Sequence, residues 1–463
     1  MHNTGLNSCS DTCMRYFLDP FGCAKNQVDA EIMMASLNEA GWVSADDPAD
    51  ADLIIVNSCG FIEAAKRESI NAVLAWKKLY PQKKILLAGC LTQRYRTELE
   101  ESLTEADGFL GCEELDTIPL KAAKLFKPIL ALPNTSVFQS RGLRPLLGFP
   151  GSAYVKISEG CNNNCTFCAI PLIRGPLRCR AIPDIVEECR QLLERGVKEL
   201  CLIGQDLASF KYVNDEPDTN GVSAVAALLK AIAGLPGNFW VRLLYLHPDH
   251  FPPDILDIAA NDSRFLPYFD IPFQHASPKI LSLMGRKGNA ESYLGLLETI
   301  RTKLPDAVIR STFLVGFPGE TEEDFKALLD FQKKACFNWL GVFAYSREDQ
   351  TPAYLLKGRV SKKLAAQRKA FIEEKQLLIT EKKMNRFVGR TMDVLVEEAV
   401  DNVWLGRLFC HAPEVDGTAI IKIADPVKNA GNLMLLPKPG GMVQGRVVAR
   451  SGFDLEVLVP SAQ

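Results

Sequence analysis

Three cysteines fall within eight residues of this chain, Cys161, Cys165 and Cys168, in the stretch EGCNNNCTFC with the spacing C-x3-C-x2-C. A structural zinc site takes four ligands and a disulfide joins two sulfurs. Three thiolates are what a [4Fe–4S] cluster needs if one iron is to stay open for a substrate or cofactor. A zinc site completed by a distant cysteine, or by His247 or His275, accounts for the same spacing.

A second set is spread out in sequence. Cys23 ends RYFLDPFGC, Cys59 ends DLIIVNSC and Cys90 ends KKILLAGC. Each closes a short apolar run that reads as a buried parallel strand, and Cys112 ends a weaker fourth run as a rival to Cys90. The carboxyl ends of such strands converge on one edge of a doubly wound sheet, its usual ligand crevice. The expectation is a second three-cysteine site. Cys189, Cys201 and Cys336 lie inside apolar patterns and read as core. Cys410 falls in the C-terminal block, and Cys9 and Cys13 in the polar N-terminal tail.

The elements that must position these residues form three blocks. Residues 14–126 alternate apolar runs with helical patterns such as NQVDAEIMMASLNEAG, predicting a small doubly wound parallel α/β sheet. Residues 127–150, with Pro128, Pro133, Pro145 and Pro150, read as a linker. Residues 151–358 hold six strand candidates, AYVKIS, ELCLIG, WVRLLY, YFDIP, VIRSTFLVG and WLGVFAY, mostly separated by helices. Six βα units predict a (β/α)6 partial barrel, open on one side, with the C-x3-C-x2-C at the carboxyl end of its first strand. A charged amphipathic helix over 359–386 connects it to residues 387–460, where short alternating strands predict a small all-β barrel.

Composition narrows the class. The chain has 463 residues, 47% hydrophobic and 24% charged, with a formal net charge of -3. That balance gives no global pull towards nucleic acid or an anionic membrane. No apolar run approaches the roughly 20 residues a bilayer requires, and the N-terminal stretch lacks the pattern of a secretory signal. A cytoplasmic location is expected, where 14 cysteines serve as ligands or small hydrophobes and not as a disulfide frame.

The cysteine spacing, its place after the first barrel strand and Phe167 before the last cysteine resemble the radical S-adenosylmethionine (SAM) enzymes. In that family the open iron chelates SAM, and an electron passed through the cluster yields a 5′-deoxyadenosyl radical. The further motifs FGCAKNQVDAE, VNSCGFIEAAKRESI, YFDIPFQHASPKIL and TFLVGFPGETEEDF resemble the radical-SAM methylthiotransferases, RimO branch. The resemblance covers the chain from about Tyr16 to Pro460; Cys179 stands where serine is expected. It implies two [4Fe–4S] clusters, on Cys23, Cys59 and Cys90 and on Cys161, Cys165 and Cys168. It further implies a C-terminal barrel of the TRAM type and an electron donor such as flavodoxin or ferredoxin. The implied substrate is an aspartate β-carbon in the twelfth protein of the small ribosomal subunit.

Methylthiolation of a tRNA adenosine, and a non-catalytic iron–sulfur protein, are the alternatives. Residues 387–460 carry seven basic and nine acidic side chains. A barrel gripping tRNA phosphates should be basic, so no stable nucleic-acid binding is expected, and a slightly acidic barrel suits a basic ribosomal protein. Phe167, Gln205 and Gly316 are the candidates for SAM contact. Asp206 and Glu320 share the same rim, Gly316 and Gly319 read equally as plain turn residues, and His275 as a rim residue or a buried, hydrogen-bonded histidine.

Overall fold

The run LIIVNS is buried at all six of its positions, and KILLAG at all but its first. Such two-sided burial is what a strand covered by helices on both faces requires. The computed structural model describes residues 13–126, 143–213, 221–400, 403–424 and 437–460. The chain divides into two compact units, one reaching Leu147 and taking in Leu172–Arg174, the other holding the rest.

In the first unit, strands β1 (Arg15–Pro20), β2 (Val43–Ser44), β3 (Leu53–Ser58), β4 (Lys84–Gly89) and β5 (Gly108–Gly111) are all parallel. Their order is β2-β1-β3-β4-β5. This is the flavodoxin-like doubly wound order, whose ligand crevice lies where β1 and β3 diverge. Alternate residues feed two cores: Leu53, Ile55, Leu86 and Ala88 on one face, Ile54, Val56, Ile85 and Leu87 on the other. The two-residue β2 has no strand signature in the sequence and was not expected. Of the stretch read as a linker, 127–142 lie outside the described residues. Arg144, by contrast, is fully buried and its Nε donates to Glu31 at 2.8 Å.

The second unit holds six parallel strands, β6 (Ser152–Lys156), β9 (Glu199–Ile203), β10 (Trp240–Leu243), β11 (Phe265–Asp270), β12 (Val308–Val315) and β13 (Trp339–Ala344). They line up in chain order with both edges open. A small antiparallel hairpin, β7 (Ser158–Glu159) with β8 (Arg178–Cys179), brackets the first cysteine loop and was not expected. The helix Lys362–Asn385 buries Arg368, Ile372, Gln376 and Thr380. Strands β14 (Thr391–Val400), β15 (Val403–Arg407), β16 (Ala419–Ile423), β17 (Met442–Ser451) and β18 (Asp454–Val459) close into a barrel.

Buried charge seats this barrel. Glu199, the first residue of β9, accepts from Arg242 Nε at 2.8 Å and Arg407 Nη2 at 2.5 Å. Arg407 also donates to Glu397 at 2.6 Å. Beside them Tyr268 donates to Asp416 at 2.6 Å, and Trp339 Nε1 to the carbonyl of Cys410 at 2.8 Å. Cys410 lies in the loop after β15. Because Glu199 opens β9, this ionic cluster lies at the amino-terminal side of the parallel sheet, away from the edge that carries the cysteine loop.

Cys189 and Cys201 are fully buried, as expected. Cys336 is not: it is half-buried at the left-handed C-cap of the helix Glu322–Ala335, with its Sγ 3.1 Å from the carbonyl of Lys333. The apolar pattern around it belongs to the helix before and the strand after. Cys9 lies outside the described residues.

Candidate metal centres

Each cysteine of the spread set follows a parallel strand of the first unit. Cys23 is the N-cap of the helix Ala24–Glu39 that follows β1. Cys59 comes directly after β3, and Cys90 directly after β4 as the first residue of the helix Cys90–Ser102. Cys112 comes directly after β5 and is buried. Adjacent parallel strands put these ends on one edge, so four strand ends in a row carry a thiol.

Around the thiols stands a buried polar frame. Asn26, one helical turn after Cys23, has its Oδ1 3.8 Å from Cys23 Sγ and 3.3 Å from Cys90 Sγ. Its Nδ2 donates to the carbonyl of Ser58 at 2.9 Å, fixing the residue before Cys59. Arg174 Nη2 donates to Cys90 Sγ at 2.9 Å and to Asn26 Oδ1 at 3.1 Å, while its Nη1 pairs with Asp29 at 2.7 Å. The hydrogen bond with Cys112, and then the charge of Arg174, hold the Cys90 thiol below its ordinary range against burial. Cys112 is pushed the opposite way by the same hydrogen bond and by burial. Burial raises the Cys59 thiol to about 11. Cys112, the rival to Cys90, is thus its immediate neighbour.

In the second unit the clustered cysteines lie on the loop between β7 and the helix Ile170–Arg174. Gly160, at φ +74°, starts the loop, and a Cβ there would stand 2.1 Å from the carbonyl oxygen of Pro176. A side chain is therefore excluded where the chain turns into the cysteines. The loop is pinned from three directions. The amide of Thr166 donates to the carbonyl of Met284 at 3.0 Å and its Oγ1 to that of Leu283 at 2.7 Å. The amide of Ala353 donates to the carbonyl of Thr166 at 2.9 Å. Asn163 Nδ2 donates to Asp206 Oδ2 at 2.8 Å.

Asp206, just past β9, organises this rim. Its carboxylate also accepts from Ser209 Oγ at 2.6 Å, from the amides of Ala208 and His247 at 2.9 and 3.2 Å, and pairs with His250 Nε2 at 2.6 Å. Burial opposes ionisation, but the hydrogen bonds from His250 and Ser209 prevail and hold Asp206 down at about 2. His247 stacks on His250 with ring centroids 4.4 Å apart, and burial beside Arg286 lowers it to about 3, so it is neutral. Burial raises the Cys161 thiol, and raises Cys168 to about 12.

The candidates for SAM contact fall in different settings. Phe167 packs against Ile280, Met284, Leu314 and Phe317. Gln205 Nε2 donates to Glu159 at 3.0 Å, and its Oε1 is buried without a hydrogen-bond partner. Gly316 faces the helix Lys362–Asn385, where a Cβ would meet Ala365 Cβ at 2.5 Å. Glu320 turns inward, accepting from the amide of Gly316 at 2.7 Å and from Arg368 at 2.5 Å. His275 is fully buried; its Nδ1 accepts from the amide of Ser277 at 3.0 Å, its Nε2 lacks a hydrogen-bond partner, and burial lowers it to about 3.

Among the described residues no three His, Cys, Asp or Glu side chains converge tightly enough to hold a single metal ion. A [4Fe–4S] cluster asks for something else, because each thiolate binds a different iron and the sulfurs stand further apart than ligands of one ion. Three thiols at neighbouring strand ends, a buried guanidinium against one of them, and a second three-cysteine loop pinned at its middle fit such a group. Asn26, Asp29, Arg174, Asn163 and His250 were not found from sequence, and His247 only as a candidate fourth ligand of a zinc site. Asn26 and Asp29 follow Cys23 at one and two helical turns, a signal that was available; nothing local points Arg174 at Cys90.

Three family models match in succession: Uncharacterized protein family UPF0004 over residues 15–111, the Radical SAM superfamily over 155–331 and the TRAM domain over 388–459. A ribosomal protein uS12 methylthiotransferase RimO from Treponema denticola is 47% identical, covering 95% of this chain and all of that protein. The proteins of that name from Carboxydothermus hydrogenoformans and Aquifex aeolicus are 41% and 40% identical, over 90% and 94% of this chain and 94% of each of theirs. Among solved structures, the radical SAM methyltransferase TsrM from Kitasatospora setae aligns with a TM-score of 0.54. It is 16% identical, with 74% of this chain and 75% of that one covered, a likeness of fold. Strand-end cysteines in a flavodoxin-like sheet, a C-x3-C-x2-C after the first strand of a parallel sheet and a closed terminal barrel accompany this similarity along almost the whole length: the chain belongs to the RimO family of radical-SAM methylthiotransferases.

Proposed function

We propose that this enzyme transfers a methylthio group to an aspartate β-carbon of ribosomal protein uS12, using two [4Fe–4S] clusters with separate tasks. Cys161, Cys165 and Cys168 hold one beside SAM, with Phe167, Gln205 and Gly316 around the cofactor. Cys23, Cys59 and Cys90 hold the other. Cysteines at three adjacent strand ends of the first sheet carry this reading, because a single radical-SAM cluster would leave them without a task. When bound, the SAM cluster supplies a one-electron reductant that generates the hydrogen-abstracting radical.

The residues of the chain do the holding. Asp206 and Thr166 keep the C-x3-C-x2-C loop at the carboxyl edge of the sheet, and each triad leaves one iron without a protein ligand. That gives one open position for SAM and one for a sulfur donor. The thiols raised by burial must lose protons on ligation, so cluster assembly releases protons. A cytoplasmic location and a flavodoxin or ferredoxin as electron donor complete the reading. The slightly acidic C-terminal barrel and the naming of the relatives favour uS12 over tRNA.

Anaerobic reconstitution tests it. The intact chain should take up about eight irons, and Cys59→Ala and Cys165→Ala about four each. Cys59→Ala should still form 5′-deoxyadenosine from SAM but transfer no methylthio group to uS12 by mass spectrometry, while Cys165→Ala should do neither. Full methylthiolation by a folded Cys59→Ala would sink the division of labour, and modified tRNA beside unmodified uS12 would sink the substrate.

A further inference from the structure

We infer that Arg174 is a positioning residue of the N-terminal cysteine site, donating a hydrogen bond to the Cys90 sulfur and tuning the group bound there. The inference rests on the reading that Cys23, Cys59 and Cys90 hold an iron–sulfur cluster. In sequence Arg174 stands six residues after Cys168 and ends the short helix Ile170–Arg174. It nevertheless belongs to the N-terminal unit, together with Leu172 and Ile173. Cys112 Sγ lies 3.5 Å from the carbonyl oxygen of Ile173, so this segment meets the site through its backbone as well.

The geometry is specific. The Arg174 guanidinium is 2% exposed and its partner Asp29 is fully buried. Nη1 is committed to Asp29 at 2.7 Å, which aims the fork so that Nη2 reaches Cys90 Sγ at 2.9 Å. Nη2 is shared between Cys90 Sγ at 2.9 Å and Asn26 Oδ1 at 3.1 Å, so the sulfur is one of its two acceptors. The planar fork can address a carboxylate and a thiolate at once, which a lysine cannot reproduce. Hydrogen bonds to ligand sulfurs, and positive charge beside them, set the potential and the retention of iron–sulfur clusters. The guanidinium stabilises negative charge on the sulfur, so it favours the reduced state and should raise the midpoint potential.

The test uses a chain in which Cys161, Cys165 and Cys168 are alanine, so that only the N-terminal site can load. This parent is compared with its Arg174→Met, Arg174→Gln and Arg174→Lys derivatives for iron content, electron paramagnetic resonance, midpoint potential and iron release to a chelator. Arg174→Met should lower the potential and release iron about ten-fold faster or more. Arg174→Lys, which keeps the charge without the fork, should fall between. Circular dichroism identifies a variant that fails to fold, and Arg174→Gln then decides on the same potential. A potential and release rate equal to the parent's in folded Arg174→Met or Arg174→Gln would overturn the inference. A parent that binds no iron would instead overturn the cluster reading beneath it, a distinct result.

Discussion

Asp206 holds the C-x3-C-x2-C loop through Asn163, and replacing it by asparagine isolates that role. The side chain keeps its shape but loses its charge, and at least two of its five donors then meet an amide NH2 instead of an oxygen. The carboxyl group stands at about 2 instead of 3.8. At about 1.4 kcal/mol per pKa unit, its surroundings favour the charged over the neutral form by roughly 2–3 kcal/mol. The group is 3% exposed, so solvent screens little of this. If the whole difference were felt at the loop, cluster retention would weaken by about 30- to 150-fold, overlapping the 10- to 100-fold typical of residues behind metal ligands. The assay is iron release to a chelator from a chain whose Cys23, Cys59 and Cys90 are alanine, with and without Asp206→Asn, alongside 5′-deoxyadenosine formation. Release at the parent's rate with undiminished SAM cleavage would refute the reasoning.

Two further outcomes concern the seating of the C-terminal barrel. Arg407→Met leaves Glu397 and part of Glu199 buried without their partner and should destabilise the metal-free chain by about 3–5 kcal/mol, read as a lower urea midpoint in tryptophan fluorescence; an unchanged midpoint would show the network to be energetically idle. Glu199 is held down to about 2 from 4.5, burial being outweighed by Arg407 and Arg242. A depressed carboxylate contributes stability that is present above its unfolded value and lost as pH falls through its folded value. Acid unfolding between pH 4.5 and 2 should therefore be less steep in Glu199→Gln than in the parent, and identical acid profiles would contradict this.

Much of this molecule was legible along the chain because strand and helix signals are local. LIIVNS and KILLAG show by their apolar content that both faces are covered, and a cysteine directly after each such run is at the carboxyl edge whatever the rest of the fold does. The six strands of the second sheet were readable for the same reason. What had to wait were contacts between residues distant in sequence. Nothing near Arg174 says that its guanidinium turns to Cys90, 84 residues earlier. Nothing in RLLY or ELCLIG says that Arg242 and Arg407 of the barrel both pair with Glu199. The apolar stretch around Cys336 looked like core, but the helix ends there and a left-handed turn leaves the thiol half-buried. Periodicity reports which face of an element is covered; only the closed tertiary structure decides which buried charge meets which thiol, because that depends on how loops and helix ends from separate parts of the chain are brought together.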